Sequence, residues 1–126
     1  MTTPIETVHL VFKTHFDFGF TDFARVVTAQ YTDQFIPQVL KTAEFFRRED
    51  NRERMIWTTG AWLIYDYLER APPLARRRME RAIAAGDIAW HGLPFTTHTE
   101  LMDASLLVTA ISMEFVPNGG RLRRIK

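Results

Sequence analysis

Two residues that can bind a metal ion, His15 and Asp17, follow directly on the apolar run TVHLVFKT of residues 7–14. Residues two positions apart point to the same side in extended backbone, so an imidazole nitrogen and a carboxylate oxygen can converge on one cation. Zinc accepts both kinds of ligand. The pair therefore predicts a site for Zn²⁺ or another divalent metal. A histidine that is hydrogen-bonded to an aspartate within a turn is the structural alternative.

A second polar group lies in the segment 91–103, which contains His91, His98, Glu100 and Asp103. If this segment faces the first pair, it offers carboxylates for nucleophilic or acid/base chemistry. We take Glu100 and Asp103 as candidate catalytic residues, and His91 and His98 as candidate substrate-binding residues. Two alternatives stay open: Asp103 can cap a following helix, and His91 can be a structural hydrogen-bonding group.

Aromatic residues accompany these polar groups at or near the ends of the predicted strands. The flat faces of such rings suit sugar rings, whose C–H groups stack on them, and core packing is the alternative role. Trp57 and Trp90 fit the core better, whereas Trp62, at a corner between loop and helix, is a candidate substrate-binding residue. If Trp62 has that role, a carbohydrate is a candidate partner.

The elements that must position these groups alternate between strand and helix. Apolar runs predict strands, and apolar residues at intervals of three and four predict helices. Gly19 permits a turn after the first strand, and Gly86 is well placed to end a helix. Strands are predicted over residues 7–14, 55–59 and 88–90, and helices over two stretches between 23 and 48 that break near 32–33, and over 61–71, 74–86 and 102–111.

Strands separated by helices predict an α/β fold with a parallel sheet built from βαβαβ units. Parallel sheets bind ligands outside the carboxyl ends of their strands. The segments HFDFG, TTGAW and HGLPFTTHTE come at the ends of the three predicted strands. We therefore expect them to meet at one edge of the sheet and to form a composite site.

The composition fits a globular chain and narrows the choice of partners. The 126 residues suit one domain or part of one, and the net charge of +1 gives no general reason to expect nucleic acid or a membrane as partner. The absence of cysteine excludes disulfides and thiolate metal sites. Without a signal-like N-terminus or an apolar run of membrane-spanning length, a cytoplasmic location is the default expectation.

Residues 111–126 differ in character from the rest of the sequence. A Pro-Asn-Gly-Gly turn and a basic end interrupt the alternation of strand and helix. We therefore divide the chain into a main part, residues 1–110, and an atypical basic tail, residues 111–126. A solvated tail is the simpler reading of that basic end, and phosphate binding is the alternative.

Three blocks of the sequence, in order over residues 7–105, resemble the α-mannosidases of glycoside hydrolase family 38. VHLVFKTHFDFGFTD is similar to the family's opening strand, which leads into His-x-Asp-x-Gly and an aromatic residue. Phe20 stands here where the family usually has tryptophan. IWTTGAWLIYDYLE resembles the second strand and its helix, and RRRMERAIAAGDIAWHGLPFTTHTE resembles the next helix, the third strand and the catalytic loop.

The resemblance implies a zinc-dependent retaining glycosidase with a seven-stranded α/β barrel-like catalytic domain. By position, His15 and Asp17 match two of the family's zinc ligands. The family's aspartate, which is both ligand and nucleophile, has no counterpart in GLPFTTHTE, where Thr97 stands at the matching position and a small shift brings in Glu100. The implied reaction has Glu100 as nucleophile and a second carboxylate, for which Asp103 is a candidate, as the acid.

The resemblance also implies that the sequence covers only the N-terminal part of such a barrel, because the family's last ligand, a histidine, and most of its strands lie downstream. Three strands cannot close a barrel, so we expect this chain by itself to be an inactive fragment. A metal-dependent deacetylase-like hydrolase and a non-catalytic carbohydrate-binding remnant are the alternatives. Released sugar, released acetate, or binding without turnover distinguishes the three functions.

Overall fold

The computed structural model describes residues 5–8, 11, 13–48, 54–94, 96–112, 115–118 and 121–124. The helices within these residues are α1 (Ala24–Gln30), α2 (Ile36–Arg48), α3 (Ala61–Arg70), α4 (Pro73–Ala84) and α5 (Ala104–Ser112). The strands are β1 (Trp57–Gly60), β2 (Ile88–His91), β3 (Phe115–Asn118) and β4 (Arg121–Arg124). A π-helical segment, Tyr31–Phe35, joins α1 to α2, and a 3₁₀ turn, Thr99–Leu101, precedes α5.

The strands β1 and β2 run parallel, with Trp57 opposite Ile88 and Gly60 opposite His91. Helices α3 and α4 connect them, as the alternation of apolar patterns predicts. The broad α/β prediction is therefore confirmed. Within the described residues the parallel sheet has two strands, and β3 and β4 form a separate antiparallel hairpin. A closed barrel stays a prediction.

Of the strand predicted over residues 7–14, the described residues show β-pairing only at its carboxyl end. Lys13 forms a single parallel bridge to Thr58, and the Thr14 N–H donates to the Thr58 carbonyl over 2.9 Å. The described residues before it carry no regular structure, while 9, 10 and 12 lie outside the described part. The prediction of a full strand is therefore wrong for the described residues, because backbone pairing to β1 is formed only beside Thr58.

The first helical stretch is continuous, and the predicted break near 32–33 is instead the π-helical segment. Pro37, in the first turn of α2, has no N–H, and its ring would clash with the carbonyl four residues earlier in a regular α-helix. A wider turn immediately before it relieves that clash. In the described part of the chain, no helix combines the length and apolar character that crossing a bilayer requires.

The hydrophobic core lies between the parallel strands and the helices that cover them. Met79 and Ile36 are fully shielded from solvent, and Trp57 is 6% exposed. Trp90 packs against the same core. The core role that the sequence favours for Trp57 and Trp90 is therefore confirmed. The other buried members are Phe16, Val27, Leu40, Leu63, Ile64, Tyr67, Leu68, Ala82 and Ile88.

Gly86 ends α4, as the sequence predicts, and positions the next residue at the start of β2. Its φ of 75° is in the left-handed region, which glycine adopts without steric cost. The Gly86 N–H donates to the Ile83 carbonyl and the Asp87 N–H to the Ala82 carbonyl, each over 3.0 Å. This pair of bonds is a Schellman motif, and it points the chain from the helix into the sheet.

The carboxylate of Asp87, which is 2% exposed, ties this corner together. The carboxylate lies 2.7 Å from the Arg47 guanidinium and 3.0 Å from that of Arg54. The backbone carbonyl of Asp87 accepts the Trp57 N–H over 2.8 Å. A buried carboxylate is tolerated only when it is paired in this way. Asp87 therefore joins the end of α2, the approach to β1 and the start of β2.

Replacing Asp87 with Asn should destabilise the protein by about 1–3 kcal/mol, because two charge-assisted contacts to a buried group are lost. Urea unfolding followed by circular dichroism measures the change. The matched control is Glu80→Gln, which removes the carboxylate that Arg76 contacts at the protein surface and should cost under about 0.5 kcal/mol. Equal unfolding midpoints for the two variants would contradict the assigned role of Asp87.

Candidate functional site

His15 and Asp17 lie side by side just after the bridge to β1. The His15 Nε2 is 2.7 Å from the Asp17 Oδ1. Both side chains are accessible, at 64% and 41% exposure. The chain then turns at Gly19, whose φ is 82°, so that the segment folds back on itself. The two side chains therefore converge, in a direct contact that also matches the structural alternative, and the metal site stays a prediction.

A cavity of about 480 Å³ opens beside this pair. Its wall brings together residues that follow three parallel segments of chain: the Lys13 bridge, β1 and β2. The Trp62 N–H, in the first turn of α3, donates to the Pro94 carbonyl over 2.9 Å and so ties two of these segments together. The lining residues are His15, Phe16, Asp17, Phe18, Phe20, Trp62, Thr96 and His98.

Aromatic rings form most of the cavity wall. The Phe16 ring stacks on Trp62 at 5.7 Å between centroids and 21° between planes, and Phe18 meets Trp62 edge to face at 5.3 Å. Phe16 is buried, whereas Phe18 and Phe20 are 55% and 87% exposed. Trp62 is thus on the wall where the sequence suggested a substrate-binding residue. The sequence did not predict a binding role for these three phenylalanines, because alternation in extended backbone puts Phe16 and Phe18 on the side opposite to His15 and Asp17.

Tyr31 is a fourth residue near the site that the sequence did not predict. It is the first residue of the π-helical segment, and its hydroxyl donates to the His15 carbonyl over 3.4 Å. Its ring meets Phe16 edge to face at 5.0 Å. Burial, together with the negative charge of Asp17, raises the pKa of the Tyr31 phenol, so the phenol stays protonated and keeps donating. Tyr31 therefore supports the backbone that carries the His15–Asp17 pair.

The candidates in the segment 91–103 separate into two groups. His98, with its neighbour Thr96, lies on the cavity wall. His91 belongs to β2 and Glu100 to the exposed 3₁₀ turn, and neither lines the cavity. The Thr97 hydroxyl is buried without a hydrogen-bond partner among the described residues. Of the four candidate residues in this segment, His98 is therefore the one that the structure brings to the cavity.

Asp103 caps helix α5, the alternative that the sequence leaves open. Its Oδ1 accepts the Leu106 N–H over 2.7 Å and the Ser105 hydroxyl over 2.8 Å. The Leu106 and Ser105 hydrogen bonds lower the pKa of the Asp103 carboxyl. A general acid must hold a proton near its working pH, so this environment favours the cap over the catalytic role.

The pair His15–Asp17 supplies two ligands of the types that zinc prefers. Two atoms bound at about 2.0–2.1 Å to a tetrahedral zinc are about 3.4 Å apart. The observed 2.7 Å between Nε2 and Oδ1 therefore needs only a small side-chain rotation to admit the ion. Among the residues that the structure describes, no cluster of three or more metal-binding side chains is present. The pair fits half of a zinc coordination shell.

Comparison of the chain with models of protein families, with curated proteins and with solved structures finds no match in any of the three. The assignment of a function therefore depends on the sequence blocks and on the geometry of the cavity.

His91 should make the protein less stable in mild acid. Burial, and next the positive charge of Lys13, lower the pKa of His91 below its ordinary value of 6.5, against a smaller opposing effect of a hydrogen bond with the Leu93 backbone. Between pH 6.5 and the lower pKa of the folded state, His91 binds a proton more readily in the unfolded chain than in the folded chain. The free energy of unfolding should therefore fall as the pH falls from 6.5 towards the folded pKa.

Urea unfolding of the wild type and of His91→Gln, measured at several pH values between 7.5 and 5, tests this effect. The free energy of unfolding of His91→Gln should fall less with falling pH than that of the wild type. The control His98→Gln removes a histidine from the cavity rim and leaves the sheet intact, so it should keep the part of the fall that His91 causes. Parallel stability curves for wild type and His91→Gln would exclude it.

Proposed function

We propose that the cavity is the sugar-binding cleft of a metal-dependent glycoside hydrolase resembling the α-mannosidases, with a carbohydrate as its ligand. The observation that supports the proposal is the union, in one cavity, of aromatic walls and the His15–Asp17 pair. Aromatic faces hold the apolar side of a sugar ring, and a few polar groups at the edge fix its orientation.

Each wall residue has a defined part in such binding. Trp62 and Phe18, which meet edge to face at 5.3 Å, both line the cavity and offer it apolar surface for a sugar ring. His98 and Thr96 stand on the opposite chain segment and can donate or accept hydrogen bonds from sugar hydroxyls. A divalent metal bound by His15 and Asp17 would supply Lewis-acid coordination of those hydroxyls. Tyr31 holds the His15 backbone in place from behind.

Hydrolysis by this mechanism needs two carboxylates that face the glycosidic bond. Asp17 is the carboxylate on the cavity wall among the described residues. Glu100 lies two residues beyond His98 on an exposed turn and remains the candidate nucleophile.

Glu100 is not among the described residues that line the cavity, and this favours a second candidate function, sugar binding without turnover. An aryl α-mannoside and an acetylated sugar, each incubated with the protein and Zn²⁺, separate the possibilities. Released mannose indicates a glycosidase, released acetate indicates the deacetylase-like alternative, and binding without either product indicates a binding module.

Replacing Phe18 with Ala should weaken the binding of methyl α-mannoside about tenfold, because one aromatic contact of about 1–1.5 kcal/mol is removed. Trp62 remains in the variant as the reporter, and its fluorescence is followed during titration. Phe18 is 55% exposed, so the substitution leaves the core intact.

Phe45→Ala is the matched control for this measurement. Phe45 is 54% exposed and lies on α2, away from the cavity. Its loss should leave the sugar affinity unchanged. If both variants bind the sugar like the wild type, or if the wild type shows no saturable binding, the cavity is not a sugar site.

Replacing His15 with Ala should weaken Zn²⁺ binding at least about 10- to 100-fold, because changes that disturb a metal ligand less directly already have effects of this size. Isothermal titration calorimetry of the metal alone measures the change, without any need for activity. Asp33→Asn, which neutralises an exposed carboxylate on the π-helical segment, should bind zinc like the wild type. Equal zinc affinity in wild type and His15→Ala would refute the metal site.

A further inference from the structure

A second concavity, of about 280 Å³, lies between α2 and α4 and is lined by Glu44, Arg47, Arg48 and Arg81. Arg47 also contacts Asp87, the residue that precedes β2. The concavity therefore lies towards the edge where the parallel strands begin. The sugar-binding cavity lies at the other edge, where they end, so the two sites are distinct.

Two described carboxylates near this concavity, those of Glu44 and Asp87, are paired with arginines. The Arg78 guanidinium donates to both carboxylate oxygens of Glu44, over 2.7 and 2.8 Å, and these hydrogen bonds lower the pKa of the Glu44 carboxyl. Asp87 is held between Arg47 and Arg54. Within the described part of the chain, Arg48 and Arg81 form no ion pair with a carboxylate. Among the described residues that line the concavity, three arginines therefore accompany one carboxylate, Glu44, whose negative charge also interacts with Arg78.

Guanidinium groups stay charged at every accessible pH and present forked donors that match phosphate oxygens. Arg48 and Arg81 also lie at the ends of two helices, where basic side chains offset the helix dipole. The interaction with the helix dipoles explains why arginines lie at these two helix ends. It does not explain why the two arginines share one concavity with Arg47.

The geometry points to a phosphate-binding site in this concavity, with Arg48 and Arg81 as the main ligands and Arg47 at its inner wall. The ligand class is a phosphate monoester or free phosphate, held by charge-assisted hydrogen bonds. The inference is independent of the sugar-binding proposal, because it concerns the opposite edge of the sheet.

Calorimetric titration of the full chain with inorganic phosphate and, separately, with a hexose 6-phosphate tests the proposal at constant ionic strength. The double variant Arg48→Gln/Arg81→Gln should bind phosphate at least about tenfold more weakly than the wild type, because the charge-assisted hydrogen bonds of both main ligands are lost. Similar affinity for both probes indicates a site for the phosphoryl group alone, whereas tighter binding of the ester adds contacts to the sugar.

The control variant Arg25→Gln/Arg77→Gln removes the same charge from exposed positions on α1 and α4 and should bind phosphate like the wild type. NMR spectra of the arginine Nε–H groups locate the site without any mutation, since the Arg48 and Arg81 signals should shift on addition of phosphate. The proposal fails if the two double variants lose affinity equally, if chloride binds as well as phosphate, or if those signals stay unmoved.

Discussion

The parallel pairing at Thr58 is the constraint on which the rest of the structure depends. Thr58 pairs with Lys13 on one side and with Ala89 of β2 on the other, so three chain segments run in the same direction. Parallel segments necessarily end at one edge. The residues that follow them, which include His15, Trp62 and His98, meet for that reason, although no short-range contact links them in the sequence.

The aromatic residues at that edge belong both to the core and to the cavity. Phe16 is 5% exposed and packs with the buried core, and it also lines the cavity. Trp62 stacks on it, and Tyr31 closes the cluster from the π-helical segment. Because rings packed in this way resist displacement, the cleft is rigid on one side. The His15–Asp17 pair lies on the wall of the same cavity, is accessible to solvent and is held together by its own 2.7 Å contact.

The two edges of the sheet differ in the physical interaction that organises them. The carboxyl edge is held by ring stacking and by the hydrogen bond from Trp62 to Pro94. The amino edge is held by the buried carboxylate of Asp87 and the arginines around it. The cavity at the carboxyl edge is lined mainly by apolar surface, whereas the concavity at the amino edge is lined by three arginines and Glu44. A single small fold thereby presents two surfaces of different chemistry.

The sequence by itself determined the features that local physics controls. The alternation of apolar patterns is local, and so are the stop at Gly86 and the two-residue spacing that brings His15 beside Asp17; each could be predicted. The cap formed by Asp103 was one of two local possibilities, and its hydrogen bonds to Leu106 and Ser105 decided between them. Only the tertiary structure decided that Phe18 meets Trp62 and that His98, but not Glu100, is among the described residues lining the cavity. Those positions depend on contacts between distant segments, which no local pattern encodes.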